Sequence, residues 1–280
     1  MKKITKKKKN TVTPLLGKSE KPVVRVVNAQ SKSQLLIVCD HASNKIPKKL
    51  GNLGVRKKDL EKHVAWDPGT EDIDLYMAKQ LKAPAVVAEY SRLVVDLNRG
   101  KKSPDIMREV YDHIVVPANK GLTPAQKKQR IDEFFTPYHE MIETRLKQIL
   151  ARKKVPVLIS IHSFTPKMDG FKRPWHVGVL WNKDDRIARH VIQNMRALDK
   201  KHLGRRIVVG ENEPYTLKDE NLGENTISVH AEKRRIPYII VEFRQDLVNT
   251  KAKAEKWAKF FLASLEPIFA DRETYTYYRK

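Results

Sequence analysis

Three continuous apolar runs constrain the fold more than any other feature of this sequence. They are LLIVCD at residues 35–40, VPVLISIHSF at 155–164 and PYIIVEFRQD at 237–246. A strand with one face in water alternates apolar and polar residues, whereas a strand buried on both faces is apolar throughout. Helix-like segments separate these runs. We therefore predict an α/β fold, a three-layer α/β/α sandwich with a mostly parallel mixed sheet.

The remaining segments fit this alternation of strands and helices. Helical periodicity or capping residues predict helices at 59–66, 71–81, 123–150, 184–198 and 250–269. Thr123 is the predicted N-cap of the third helix, with Pro124 in its first turn, and Pro137 should kink or divide it. Short apolar runs predict further strands at 83–90, 93–97, 176–181 and 206–212.

Charge and composition limit the possible domain organisations and binding partners of the chain. The 280-residue chain has a net charge of +23 and 40% hydrophobic residues. We predict a basic, disordered tail over residues 1–30, which has little to bury, and a single catalytic domain over 31–280.

No apolar run approaches the ~20 residues of a membrane span. The basic residues are not interleaved with aromatics, so we do not expect nucleic-acid binding. One cysteine, Cys39, excludes an internal disulfide and fits a cytoplasmic protein. The oligomeric state stays open.

Ionisable side chains follow three of the predicted strands. His41 comes after Asp40 at the end of the first run, His162 precedes Ser163 at the end of the second, and Glu242 precedes Arg244 in the third. Ligands bind at the carboxyl ends of strands in open α/β sheets. Two histidines and a carboxylate suit Zn²⁺ with a fourth position open to water, and a further glutamate can act as general base. The sequence therefore predicts a zinc site with His41 and His162 as ligands.

The carboxylate ligand has two candidates, both in the stretch AWDPGTE. Asp67 lies on the predicted turn, and Glu71 lies in the first turn of the following helix. The alternative is structural: Asp67 caps that turn and Glu71 complements the helix dipole.

The segment SRLVVDLNR, residues 91–99, is suited to an anionic substrate. Arg92 and Arg99 bracket an apolar run, and Asn98 adjoins the second arginine. Arginine binds carboxylates in a bidentate manner, so the segment would suit a small substrate with one or two carboxylates. For Asp96 we favour a structural ion pair with an arginine. Arg244 either adds positive potential at the pocket or pairs with Asp246. The loop GENEPY, residues 210–215, is a further candidate for the pocket lining.

Taken in order, seven motifs resemble the N-formylglutamate amidohydrolase family, in particular its branch of predicted amidohydrolases. They run from about residue 35 to 247 and are CDHASNKIP, HVAWDPGTEDI, YSRLVVDLNR, SIHSFTP, HVGVLWN, GENEPY and VEFRQDL. The resemblance implies a zinc-carboxypeptidase-like fold with the metal at the carboxyl edge of the sheet. It implies His41 and His162 as ligands and Glu242 as general base. It also implies that Asn98 and Arg99 hold a substrate carboxylate.

The sequence departs in two places from the motifs of the related enzymes. Carboxypeptidases place a glutamate three residues after the first histidine, where this chain has Asn44, so Asp67 or Glu71 must supply the carboxylate. The stretch DHAS stands where the histidine-degradation enzymes have a Pro-His-Ser-Gly type sequence, which puts formylglutamate in question more than amide hydrolysis.

We therefore predict a metal-dependent hydrolase that cleaves the linear amide of a small anionic N-formyl or N-acyl amino acid, with Zn²⁺ as cofactor. Arg92 is expected to polarise the carbonyl or to bind a second carboxylate, and Ser163 and Arg244 are expected near the substrate. The alternatives are a carboxypeptidase-like peptidase on short peptides and a non-catalytic basic protein associated with nucleic acid.

Overall fold

A seven-stranded sheet forms the centre of the molecule in the computed structural model, which describes residues 13–217 and 223–279. The strand order is β1-β3-β2-β6-β11-β9-β10. Two small hairpins, β4-β5 and β7-β8, lie outside it. The strands are β1 Val24–Val27, β2 Leu35–Cys39, β3 Ala85–Ala88, β4 Val110–Tyr111, β5 Ile114–Val115, β6 Val157–Phe164, β7 Lys167–Met168, β8 Phe171–Lys172, β9 Val177–Leu180, β10 Val209–Glu211 and β11 Tyr238–Arg244.

The sheet is mixed but mostly parallel. Strands β3, β2, β6 and β11 are parallel neighbours, β1 runs antiparallel to β3, and β9 runs antiparallel to β11 and parallel to β10. All residues of β2 and β6 are buried, as their continuous apolar sequence predicts.

Helices cover both faces of the sheet. They are α1 Lys57–Leu60, α2 Thr70–Leu81, α3 Pro124–Arg130, α4 Thr136–Leu150, α5 Arg186–Leu203, α6 Thr226–His230 and α7 Lys251–Ala270. Short 3₁₀ turns occupy Lys48–Leu50, Pro104–Met107, Pro117–Asn119, Glu232–Arg234, Gln245–Leu247 and Arg272–Tyr275. Apolar residues of α2, α5 and α7 form one core with the sheet, and those of α4 and α6 form a second core on the opposite face. This arrangement confirms the predicted α/β/α sandwich.

The helix predicted over 123–150 is divided, as Pro137 requires. Thr123 forms a capping box with Gln126 at the start of α3. A π-helical turn, Ile131–Phe135, separates α3 from α4 and ends directly before the proline-containing first turn of α4.

Two element predictions and the tail boundary need correction. Residues 93–97 form turns rather than a strand, because the Ser91 and Asp96 side chains accept hydrogen bonds from the nearby backbone amides of Leu93 and Asn98. The helix predicted over 59–66 is only the single turn α1, after which the chain turns toward Asp67. Strand β1 lies within the predicted tail, so the ordered fold includes residues before 31; residues 1–12 lie outside the described residues.

None of the helices in the described ranges is both long and apolar enough to cross a membrane.

Candidate active site

Strands β6 and β11 place His162 and Glu242 side by side. The two residues are direct partners in the parallel register of these strands. Each lies on the same strand face as Leu158 and Tyr238, which are buried in the α4 core. Because side chains alternate along a strand, His162 and Glu242 point to the same side of the sheet.

A loop brings Asp67 to the same edge. The Asp67 amide donates a hydrogen bond to the His41 carbonyl at 2.9 Å, which ties the start of the DPGT turn to the second residue after β2. Gly69 adopts a left-handed conformation with φ of 85°. A Cβ atom there would lie 2.2 Å from the Val248 carbonyl oxygen, so only glycine fits. The turn therefore fixes the Asp67 carboxylate in the site while α2 begins behind it.

Three ligand-type atoms converge in this buried site. His41 Nδ1 lies 3.3 Å and His162 Nδ1 lies 3.0 Å from the same oxygen, Asp67 Oδ2. All three side chains are buried. Their donor atoms lie within 4.8 Å of one another, a spacing that one cation could bridge.

The far nitrogens of the two imidazoles have their own partners. His41 Nε2 lies 2.7 Å from Asp96 Oδ1, and His162 Nε2 lies 3.1 Å from Ser160 Oγ and 3.5 Å from Asp40 Oδ2. A proton on each Nε2 leaves each Nδ1 with a lone pair directed at the Asp67 carboxylate, an arrangement that needs a proton or a cation between the atoms. Outer carboxylates that orient imidazole ligands in this way are typical of metal sites. The donor set therefore fits a divalent cation.

The electrostatics of the cluster keep Asp67 ionised. Burial acts to raise the pKa of this carboxyl, but His41, His162 and Arg92 together hold it well below its usual range. Burial acts to lower the pKa of His162. The neighbouring carboxylates Asp40 and Asp67 raise it by more, so the pKa of His162 lies above its usual value. A permanently anionic oxygen at the centre of the cluster favours a bound cation.

Glu242 behaves differently from the other carboxyl groups. Burial and the negative charge of Asp67 raise its pKa to about 7, against the opposing effect of His162. Its Oε2 atom is buried and has no hydrogen-bond partner among the described residues. A carboxyl group with a pKa near neutrality and a free oxygen is suited to accept and return a proton.

Arg92 is held by two carboxylates. Its Nε and Nη2 atoms donate to Asp96 Oδ2 at 3.2 and 2.8 Å, and Nη1 donates to Asp67 Oδ1 at 3.4 Å. The expected ion pair of Asp96 is thus present, and Asp96 also contacts His41. The role of Arg92 in polarising a carbonyl stays a prediction, since its observed contacts are those of a residue that holds Asp67 and Asp96 in place.

A cavity of about 120 Å³ opens beside the cluster. The three residues predicted to bind the substrate, Asn98, Arg99 and Ser163, line it. Asn98 Oδ1 accepts the Thr226 amide at 3.0 Å, which leaves the amino group of Asn98 for the cavity. Ser163 Oγ donates to the Pro68 carbonyl and so supports the Asp67 turn. The other lining residues are His41, Asp67, Arg92, Tyr111, Ser160, His162, Leu180, Tyr215, Thr216, Leu217, Asn225, Ile227, Ile240 and Glu242.

Two predicted site residues lie elsewhere. Glu71 forms an ion pair with Arg25, and its side chain is 45% exposed, so the structure brings Asp67 and not Glu71 to the histidines. Arg244 donates to Asp246 and to the Trp175 carbonyl and does not line the cavity. The second of the two options for Arg244 is therefore the observed one.

The sequence analysis does not identify several residues of the candidate site. Asp40 Oδ1 accepts hydrogen bonds from Tyr138 and Thr226 at 2.7 and 3.0 Å, which orients the carboxylate behind His162. Tyr111 also lines the cavity. The GENEPY loop, a candidate for the pocket lining, contributes Tyr215 to it, whereas Glu211 of that loop pairs with Arg196. Adjacency to His41 was the available signal for Asp40; no local pattern marks Tyr138 or Tyr111.

A three-layer sandwich with a buried His-Asp-His donor set and a glutamate of raised pKa in a small cavity is the architecture of a hydrolase with a candidate metal centre. A family profile described as N-formylglutamate amidohydrolase matches residues 33–249, and this chain belongs to that family. It is accordingly an amidohydrolase that acts on carbon–nitrogen bonds other than peptide bonds.

Solved structures agree with the fold. A gene product of Agrobacterium tumefaciens is 28% identical, with a TM-score of 0.82 over 91% of this chain and 99% of that one. An N-formylglutamate amidohydrolase from Ralstonia eutropha is 14% identical, with a TM-score of 0.65 over 89% of this chain and 98% of that one. A comparison with curated protein sequences gave no significant match.

Proposed function

We propose that this protein hydrolyses the amide bond of a small N-formyl or N-acyl amino acid in a metal-dependent reaction, in the cytoplasm. The observation that carries the proposal is the convergence of His41, Asp67 and His162 beside the high-pKa carboxyl of Glu242.

His41 Nδ1, His162 Nδ1 and one oxygen of Asp67 are the proposed ligands, with Zn²⁺ as the proposed ion. Zinc prefers imidazole and carboxylate ligands of this kind, and when bound it would polarise the amide carbonyl and acidify water. Arg92 and Asp96 hold Asp67 and His41 in position, and Asp40 and Ser160 do the same for His162.

Glu242 is the proposed general base and acid. Its free carboxylate oxygen accepts a proton from the attacking water, and the protonated carboxyl then donates that proton to the leaving amine nitrogen. A group with a pKa of about 7 can perform both steps near neutral pH, because neither form is strongly favoured.

Asn98 and Arg99 are the proposed anchor for the substrate carboxylate. Both line the cavity, and Arg99 is in no ion pair with the described residues. The cavity volume of about 120 Å³ is well below the ~300–1,000 Å³ of drug-sized sites. An N-acylated single amino acid fits this size better than a peptide does, which favours the amidase over the peptidase alternative.

The test is metal-restored hydrolysis. The protein is stripped with a chelator, loaded with Zn²⁺ and assayed for free amine release from a panel of N-formyl and N-acetyl amino acids. We expect about one zinc per chain and activity only in the loaded protein. A His41→Ala variant should lose both, whereas His190→Ala, at an exposed histidine of α5 that lies outside the donor set, should keep both. Absence of hydrolysis across the panel with zinc present would refute the proposal.

A further inference from the structure

We propose that the preferred substrate carries a single carboxylate and an apolar side chain, so that an N-acyl derivative of a leucine-like amino acid is a better substrate than N-formylglutamate. This inference rests on the proposed amide hydrolysis and concerns which amino acid occupies the cavity.

The cations available in the cavity limit how many substrate carboxylates it can bind. Two arginines line the cavity among the described residues, Arg92 and Arg99, and no lysine does. The guanidinium of Arg92 already donates to Asp96 and Asp67 through all three nitrogens. Arg99 donates only to the carbonyl of Asn98 and is in no described ion pair. The described cavity thus has one free guanidinium, which matches one substrate carboxylate.

The side of the cavity next to the histidines is acidic. Asp67 and Glu242 line the cavity on the side of the histidines. A second substrate carboxylate would lie in a small, largely buried space with these groups and without a cation of its own. Burial of an unpaired charge is strongly unfavourable, so a dicarboxylate should bind poorly.

Three aliphatic side chains form an apolar patch in the cavity wall. Ile240 lies two residues before Glu242 on the same strand face, and its partner in the β11-β9 register is Leu180. Ile227 from α6 lies in the same apolar core and lines the same cavity. All three are at most 5% exposed. An aliphatic substrate group that contacts this patch would be removed from water, which favours its binding.

Arg173 is the described cation that could contradict this inference. It is buried, and it is in no described ion pair. However, its guanidinium stacks on the Tyr215 ring at 5.0 Å and donates to the Tyr215 hydroxyl at 3.2 Å, and Arg173 itself does not line the cavity. Tyr215 occupies the cavity wall in its place.

The experiment compares kcat/KM of the zinc-loaded protein for N-formyl derivatives of leucine, glutamate and glycine. We expect leucine to exceed glutamate by at least ~10-fold, the lower end of discrimination by a hydrophobic pocket. Calorimetric titration of the zinc-stripped protein, which keeps the carboxyl groups of Asp67 and Glu242, with the same compounds gives the binding preference independently of turnover. Equal or tighter binding of N-formylglutamate would overturn the inference. Hydrolysis of glutamate at least as fast as leucine would overturn it too, yet leave amide hydrolysis established. No hydrolysis at all, with leucine still bound more tightly, would refute only the proposed function.

Variants of three residues test which side chains determine the substrate preference. Ile227→Ala should reduce the leucine-to-glycine ratio of kcat/KM by ~10–200-fold, the range for lost methylene contacts in a hydrophobic pocket. Ile187→Ala removes an equally buried isoleucine from the opposite core and should leave that ratio unchanged. Arg173→Met should leave the leucine-to-glutamate ratio unchanged. A preference for glutamate that Arg173→Met abolishes would place a second carboxylate site at Arg173 and overturn the inference.

Discussion

Asp96 Oδ1 lies 2.7 Å from His41 Nε2, while the other oxygen of the same carboxylate accepts two hydrogen bonds from Arg92. One buried side chain thus fixes both a proposed metal ligand and the arginine that contacts Asp67. Although burial opposes ionisation, Arg92 and His41 hold the pKa of Asp96 well below its usual range. Asp96 is therefore an anion that sets the orientation of the site.

Replacement of Asp96 by Asn should weaken zinc binding and activity by ~10–100-fold, as for other outer partners of metal ligands. The amide keeps the shape of the side chain but removes the charge that stabilises a proton on His41 Nε2. Competition with a chromophoric chelator measures the affinity. Asp105→Asn, at an exposed ion pair with Arg108, is the matched control and should bind zinc normally. Unchanged affinity in Asp96→Asn would remove the orienting role.

Asp67→Asn should reduce zinc affinity by more than Asp96→Asn does, because it removes a proposed ligand rather than the partner of one. Glu71→Gln should leave zinc affinity unaltered, since Glu71 pairs with Arg25 away from the histidines. Metal content after dialysis against a weak chelator separates the two. If Glu71→Gln lost zinc and Asp67→Asn kept it, the proposed ligand set would be wrong.

Glu242→Gln should retain zinc and lose turnover by ~10²–10⁴-fold, the usual contribution of a general base. Single-turnover rates with the best N-acyl substrate, together with zinc content, test this. Glu211→Gln changes an exposed glutamate that pairs with Arg196 and should have normal rates. Near-normal turnover of Glu242→Gln would exclude Glu242 as the base.

Gly69→Ala should destabilise the protein and displace Asp67. A Cβ atom at this position meets the Val248 carbonyl at 2.2 Å and also forces a non-glycine residue into a left-handed conformation. The conformation alone costs about 1–3 kcal/mol. Gly121 has φ of 63°, and a Cβ atom added there would have no other atom within 4 Å, so Gly121→Ala bears the conformational cost alone. Thermal unfolding should show the larger loss for Gly69→Ala, and zinc affinity should fall only in that variant.

The stability of the fold should depend on pH through His230. Its Nε2 faces His139 Nδ1 at 2.9 Å, and His139 Nε2 donates to the Leu97 carbonyl. Burial, with help from His139 and Arg234, lowers the pKa of His230 from 6.5 to about 3. The unfolded chain therefore binds a proton at His230 between these pH values and the folded chain does not. This stabilising contribution is complete above pH 6.5 and declines as the pH falls toward 3.

Thermal unfolding of wild type and His230→Gln between about pH 7.5 and 4.5 measures this dependence. We expect the difference in Tm between the two proteins to shrink as the pH falls, because only the wild type loses the contribution of a neutral His230. His190→Gln, at an exposed histidine of α5, should parallel the wild type throughout. A constant difference between wild type and His230→Gln would contradict the assignment.

The sequence alone determined the layer architecture and the edge of the sheet that carries the site. A short, continuous apolar run is typical of a strand that is covered on both faces, and the polar residues that follow such runs are expected at the carboxyl edge of a parallel sheet. The sequence pattern predicts that His41, His162 and Glu242 lie at this edge, and the capping residues predict the start of α3.

Only the tertiary structure decided which side chains meet. Asp67 reaches His162 across 95 residues of sequence, and Asp40 meets Tyr138 across 98. Local patterns carry no information about such pairs, because they depend on how the loops cross the sheet edge. The strand predicted at 93–97 is wrong for the same reason. Its apolar residues are buried in the α4 core, but side chains of the same segment accept hydrogen bonds from backbone amides and stabilise turns. The sequence predicts which residues are buried, whereas the fold determines the partners of each buried group.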